Sequence, residues 1–109
     1  MPTAYKIIGQ SAPAATTETD LYTVPAATET IISTIVVANR SATDATFRIS
    51  IAPNGAATAN SQYIAYDVSV GGGGLNALTF GLTMDATDKI RVYASSANLT
   101  FSAFGTEIA

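Results

Sequence analysis

The sequence predicts an all-β domain, an antiparallel β-sandwich of jelly-roll type with seven to eight short strands. Three observations point there. Apolar and polar residues alternate with period two over short segments. Those segments recur at fairly even intervals, separated by Gly, Pro, Asn, Asp and Ser. Val, Ile, Thr, Tyr and Phe dominate each of them, the residues that fit a pleated, half-buried surface. Helical periodicity is absent: "SAPAATTETD" is rich in Ala but is interrupted by Pro13 and loaded with Thr. The 109 residues form one domain, 1–109, with an extended N-terminal segment over about residues 1–20.

In chain order, "YKIIG" and "DLYTV" are the first, short strand candidates. "ETIISTIVVANR" follows and differs from the rest. Strict alternation puts Ile31, Ile35 and Val37 on one face and Ile32, Val36 and Ala38 on the other. A strand apolar on both faces is covered on both. In a two-sheet domain only one face meets the core, so the other needs a loop or another subunit. Ile32, Val36 and Ala38 are therefore the candidate interface with another subunit.

"FRISIAPNG" is the clearest strand, with Phe47, Ile49 and Ile51 against Arg48, Ser50 and Ala52, ended by Pro53, Asn54 and Gly55. "SQYIAYDV" is a weaker candidate. "LNALTFGL" places Leu78, Phe80 and Leu82 on one face, and "KIRVYAS" places Ile90, Val92 and Ala94 opposite Lys89, Arg91 and Tyr93. "LTFSAFGTEI" closes the series with Leu99, Phe101 and Ala103 against Thr100, Ser102 and Phe104. The expected core is Ile35, Val37, Phe47, Ile49, Phe80, Leu82, Val92 and Phe101.

Composition narrows the chemistry. Cys, His and Trp are absent, which removes disulfides, thiolate nucleophiles, Cys/His zinc sites and the commonest general base from this chain. The net charge is −3 and the five Lys and Arg are scattered, so there is no basic face to neutralise nucleic-acid phosphates. No run reaches the roughly 18 apolar residues of a membrane helix, and "MPTAYKIIGQ" lacks the basic and apolar regions of a signal peptide. Charged residues make up only 12% of the chain, about half the usual share for a soluble domain. Such a surface repels its own kind weakly and packs readily against copies of itself.

Four groups of residues invite a chemical reading. Gly71–Gly74 could cradle a phosphate, but a phosphate loop needs a helix after it and a Lys-Ser or Lys-Thr pair. Here Leu75 and Asn76 follow and the next segment alternates like a strand, so the glycines read as a flexible turn. The pairs Asp85/Asp88 and Glu18/Asp20 could serve glycoside hydrolysis or calcium. "MDATDKI" reads as a turn entering a strand, and "TETDL" as a solvated loop. Tyr5, Tyr22, Tyr63, Tyr66 and Tyr93 could form a sugar platform or fill strand edges and interfaces. Tyr63 and Tyr66, three apart, fall on opposite faces of a regular strand, which argues against a shared platform. Asn39-Arg40-Ser41 and Asn98-Leu99-Thr100 match the glycosylation triplet, which has meaning only in a secreted chain.

The blocks "LYTVPAATETIISTIVVANRSATDATFRISIAPNG", "YIAYD" and "DKIRVYASSANLTFSAFGTEI" together resemble a family of small virion proteins of tailed bacteriophages, from about Leu21 to the C-terminus. The resemblance implies a structural protein with no catalytic residues and no cofactor. It implies assembly as a symmetric oligomer, with a homotrimer suiting three-fold positions on a shell, and the major capsid protein as partner. The favoured expectation is a capsid decoration or cement protein, made in the host cytoplasm and placed on the capsid surface. A tail, baseplate or fibre component, with tail proteins as partners and a glycan-binding role, is the alternative. A glycosidase built on paired carboxylates is the third reading.

Overall fold

Residues 3–109 are described by a computed structural model, and every predicted strand segment is a strand in it. The elements are β1 (Thr3–Ser11), β2 (Thr19–Thr23), β3 (Glu29–Asn39), β4 (Ala45–Ala52), β5 (Tyr63–Val70), β6 (Leu75–Met84), β7 (Lys89–Ala94) and β8 (Leu99–Ile108). Two single 3₁₀ turns, Pro53–Gly55 and Asn60–Gln62, lie between β4 and β5. Within the expected N-terminal extension, Thr3–Ser11 is the sheet strand β1, paired with β8.

The strands form two four-stranded sheets, ordered β1-β8-β3-β6 and β2-β7-β4-β5, with every neighbouring pair antiparallel. Only β4 and β5 are consecutive strands paired within one sheet; every other connection crosses between sheets. This is the doubled Greek key of a jelly roll.

The core fills the space between the sheets. Ile35, Val37, Phe47, Ile49, Val92 and Phe101 are buried as the alternation predicts, joined by Ile90, Leu99 and Val24. Phe47 from one sheet meets Phe101 from the other edge-to-face, with ring centroids 6.0 Å apart. That geometry places a positive ring edge on a negative ring face. Phe80 and Leu82 point inward too but are half-buried, because β6 is an edge strand and its inner face is only partly roofed.

Two face assignments are corrected. Ile32 is fully buried beside Ile35 and Val37 rather than lying on the outer face with Val36 and Ala38, and Ile31, expected beside Ile35 and Val37, is exposed on the outer face. The pairing of β3 with both neighbours shifts register between Ile32 and Thr34. Ser33 is the extra residue of this bulge against β8, and it reverses the phase of alternation. Gly105 lies opposite Ile32, and a Cβ there would sit 2.0 Å from the Ile31 carbonyl oxygen. The close approach of β8 at the bulge therefore requires glycine.

Candidate interaction surface

Residues paired across neighbouring strands share a face, so the register of the first sheet maps its outer side row by row. One row runs Tyr5, Thr106, Ile31, Thr83 and the next Ile7, Phe104, Thr34, Thr79. The third is Gln10, Ser102, Val36, Ala77, and the last is Thr100, Ala38, Leu75. No residue in these rows is charged. Glu29 stands beyond them, at the rim beside Ile108 and Thr3.

Val36 and Ala38 thus lie on the outer face as expected, half-covered by their neighbours along β8 and β6. Around them the face exposes large apolar side chains: Tyr5 is 84% exposed, Leu75 64% and Ile7 55%. Ile31 and Phe104 are partly exposed as well. A single exposed apolar residue means little, but a contiguous group on one sheet face marks an interaction site. The sequence hinted at this through β3 alone. The contributions of β1, β8 and β6 emerge only when the strand order is known.

The outer face of the second sheet has the opposite character. Arg48, Lys89 and Arg91 project from it, with Arg48 2.7 Å from Asp67 and Asp20 bound by both Lys89 (2.9 Å) and Arg91 (3.3 Å). The hydrogen bond from Lys89 holds the Asp20 carboxyl below its ordinary range, with Arg91 adding to the effect. Arg91 also donates to the carbonyl oxygens of Gly55 and Ala56, tying the β4–β5 connection over the end of this sheet. Solvated charges and ion pairs are what a water-facing surface carries.

Three of the tyrosines gather here. The Arg48 guanidinium lies 4.2 Å from the Tyr66 ring centroid and 4.6 Å from that of Tyr93, a double cation–π contact. Tyr63 meets Tyr66 edge-to-face at 4.9 Å. The expectation that Tyr63 and Tyr66 lie apart is corrected. The β4–β5 register shifts twice, between Ile49 and Ser50 and between Phe47 and Ile49. The extra residue Ile64 brings both rings to the outer side, and Asp67 turns at φ 51 beside them.

Tyr22 and Tyr5 are elsewhere. Tyr22 reaches between the sheets, hydrogen-bonded to Thr30 (2.8 Å) and donating to Glu107 (2.5 Å). Lys6 pairs with Glu107 at 2.6 Å. That bond and the one from Tyr22 lower the Glu107 pKa, while burial, and then Glu107 itself, push the Tyr22 hydroxyl up to about 12. Sequence alternation gives no sign of this network, because its members come from β1, β2, β3 and β8.

The remaining candidates are occupied structurally. Gly71–Gly74 make the β5–β6 turn, which packs on the β3–β4 loop. Gly72 N donates to Asp44 Oδ1 (3.0 Å), and Gly73 N to the Ser41 carbonyl (2.7 Å). Asp88 accepts the backbone amides of Asn54 (2.7 Å) and Asp85 (2.9 Å), while Asp85 accepts that of Ala86 (2.8 Å). Glu18 accepts from the Thr58 hydroxyl, which in turn accepts from Arg91 (3.2 Å), so it joins the edge of the same ion-paired group as Asp20. Among the described residues no three carboxylates cluster as a metal site would require. Asn39 is buried, with its amide donating to the carbonyls of Thr43 and Val70, so it is not free to be glycosylated.

No protein-family model matches the chain, and a search of curated proteins gave no match. Among solved structures, a chain of infectious bursal disease virus, Gx strain, superposes with a TM-score of 0.56 at 16% identity, over 97% of this chain and 32% of that one. A chain of the Gt strain does so with a TM-score of 0.51 at 13% identity, over 96% of this chain and 31% of that one. This chain thus spans about a third of the length of the viral chains it resembles. At these identities the likeness is one of fold: an eight-stranded jelly roll of a kind also built into a virus particle.

Proposed function

We propose that this chain is a non-enzymatic structural protein of a virion, and specifically a capsid decoration or cement protein of a tailed bacteriophage. In this reading it sits on the capsid surface as a homotrimer and stabilises the head by bridging major capsid subunits. The observation that carries the proposal is the jelly roll with one chargeless, apolar sheet face and one solvated, ion-paired face. A shell component needs both: a side to pack and a side to face water. The phage-like sequence blocks support the same reading, and the fold likeness to a virus structure agrees with it. Polar groups that could act chemically are instead engaged in turns and ion pairs. The test is cryo-electron microscopy of particles made with and without this chain. Density of jelly-roll shape between capsid subunits, and heads that break at lower temperature without it, are the expected result.

A second reading, a tail, baseplate or fibre component that binds glycan, is favoured by the gathering of Tyr63, Tyr66 and Tyr93 around Arg48. Against it, Tyr66 and Tyr93 each turn a ring face to the guanidinium. Binding of host-surface oligosaccharides that is lost in Tyr66→Ala would favour this second reading.

A further inference from the structure

We infer that the chargeless face of β1-β8-β3-β6 is where copies of this chain meet, with the β1/β8 flank of one copy seated on the β6 flank of the next. The inference deepens the proposed function but rests on the face itself. Four strands about 4.8 Å apart and rows running about 24 Å from Ile31 to Ala38 make a face of about 450 Å² in flat projection. That is a little over half of the roughly 800 Å² per partner of a standard specific interface.

Charge argues for a copy rather than a foreign partner. Partners of different kinds are usually selected by complementary charge, and this face offers none. Around a symmetry axis the same surface elements recur in every copy, so charges near the axis would face like charges. A face without them suits self-association. Water is also held off poorly here: Tyr5 and Ile7 lie on the face with no loop over them.

Shape argues for the pairing of flanks. Tyr5, Ile7 and Phe104 make one side bulky, whereas β6, beyond Leu75 at its start, presents Ala77, Thr79 and Gly81. A Cβ added at Gly81 would meet nothing within 4 Å, so that stretch is open and flat. Bulky side chains from one copy can lie on the flat strand of another without displacing backbone. Like flanks brought together would collide at one edge and leave a gap at the other.

Sedimentation and light scattering on the isolated full chain test this. Wild type is expected to be oligomeric at tens of micromolar. Ile7→Lys on the bulky flank and Thr79→Lys on the flat flank should each raise the dissociation constant about tenfold or more, as loss of an interface anchor does. Both positions are exposed, so circular dichroism and melting of the dissociated chain should stay as in wild type. Ser69→Lys, exposed on the second sheet, should assemble normally. Wild type that is monomeric at high micromolar concentration overturns the inference, as does normal assembly of both flank variants. Particle imaging separates the two proposals: a monomer found on shells defeats this inference and the homotrimer but leaves the virion role standing, and an oligomer absent from shells defeats only the virion reading.

Discussion

The hydroxyl of Tyr22 on β2 lies 2.5 Å from Glu107 Oε2 on β8 and 2.8 Å from Thr30 Oγ1 on β3, so one side chain joins the two sheets near one end of the sandwich. Its effect on stability is pH-dependent at both extremes. The Glu107 pKa is lowered by folding, so its contribution is complete above the ordinary carboxylate range and is lost as pH falls through the folded value. Tyr22 is raised to about 12. Its contribution is complete below the ordinary tyrosine value near 10 and is lost as pH rises toward about 12. Tyr22→Phe should destabilise the domain by about 1–2 kcal/mol at neutral pH, because Thr30 loses a partner inside the sandwich. It should also flatten the fall in melting temperature between pH 10 and 12. A variant with the wild-type alkaline profile would show that Tyr22 does not carry it.

Ile32 provides a sharp contrast with Val36. Alternation places them on one face, yet the bulge at Ser33 sends Ile32 into the core and leaves Val36 outside. Ile32→Ala, like Ile49→Ala, should cost about 2–5 kcal/mol in chemical denaturation, as large-to-small changes in a packed core do. Val36→Ala in the dissociated chain should cost much less. Equal losses for Ile32 and Val36 would mean that the bulge is misplaced.

The strands β4, β6, β7 and β8 were legible because each carries its own period-two pattern and turn residues, while β1, β2 and β5 showed only short or weak patterns and β3 was apolar on both faces. The departures share one physical origin. A bulge adds a residue without changing composition, so neither the turn of Ile32 into the core nor the meeting of Tyr63 and Tyr66 leaves a trace in the pattern. Phe80 and Leu82 look like core residues because periodicity reports which way a side chain points. How far it is covered depends on β6 being an edge. The chargeless face was visible in part, through the two-sided β3. Its extent depends on β1, β8 and β6 lying side by side, and they are distant in sequence.

Gly72 has a steric requirement that its three glycine neighbours do not share. A Cβ on it would lie 2.3 Å from both the carbonyl carbon and oxygen of Ala42, where the β5–β6 turn rests on the β3–β4 loop. Gly72→Ala should therefore push the two loops apart and cost about 1–3 kcal/mol, as overpacking does. Gly71→Ala makes only an ordinary contact with Asp44 at 3.8 Å and should be close to neutral. Thermal melting of the two variants measures the difference. Equal tolerance would mean that the loops do not pack as described.

Asp88 carries the last prediction, which separates a turn carboxylate from a cation site. Its two oxygens accept the amides of Asn54 and Asp85, binding the β4–β5 connection to the turn before β7. Asp88→Ala should cost about 1–2 kcal/mol, since charge-assisted bonds to amides are worth more than neutral ones but these are exposed to water. Asp88→Asn keeps one acceptor and should recover part of the loss. Because each carboxylate oxygen is already held by a backbone amide, adding a chelator should leave the wild-type melting temperature unchanged. A chelator-induced drop that calcium reverses, and that Asp88→Ala abolishes, would mean that this carboxylate holds a metal ion instead of two amides.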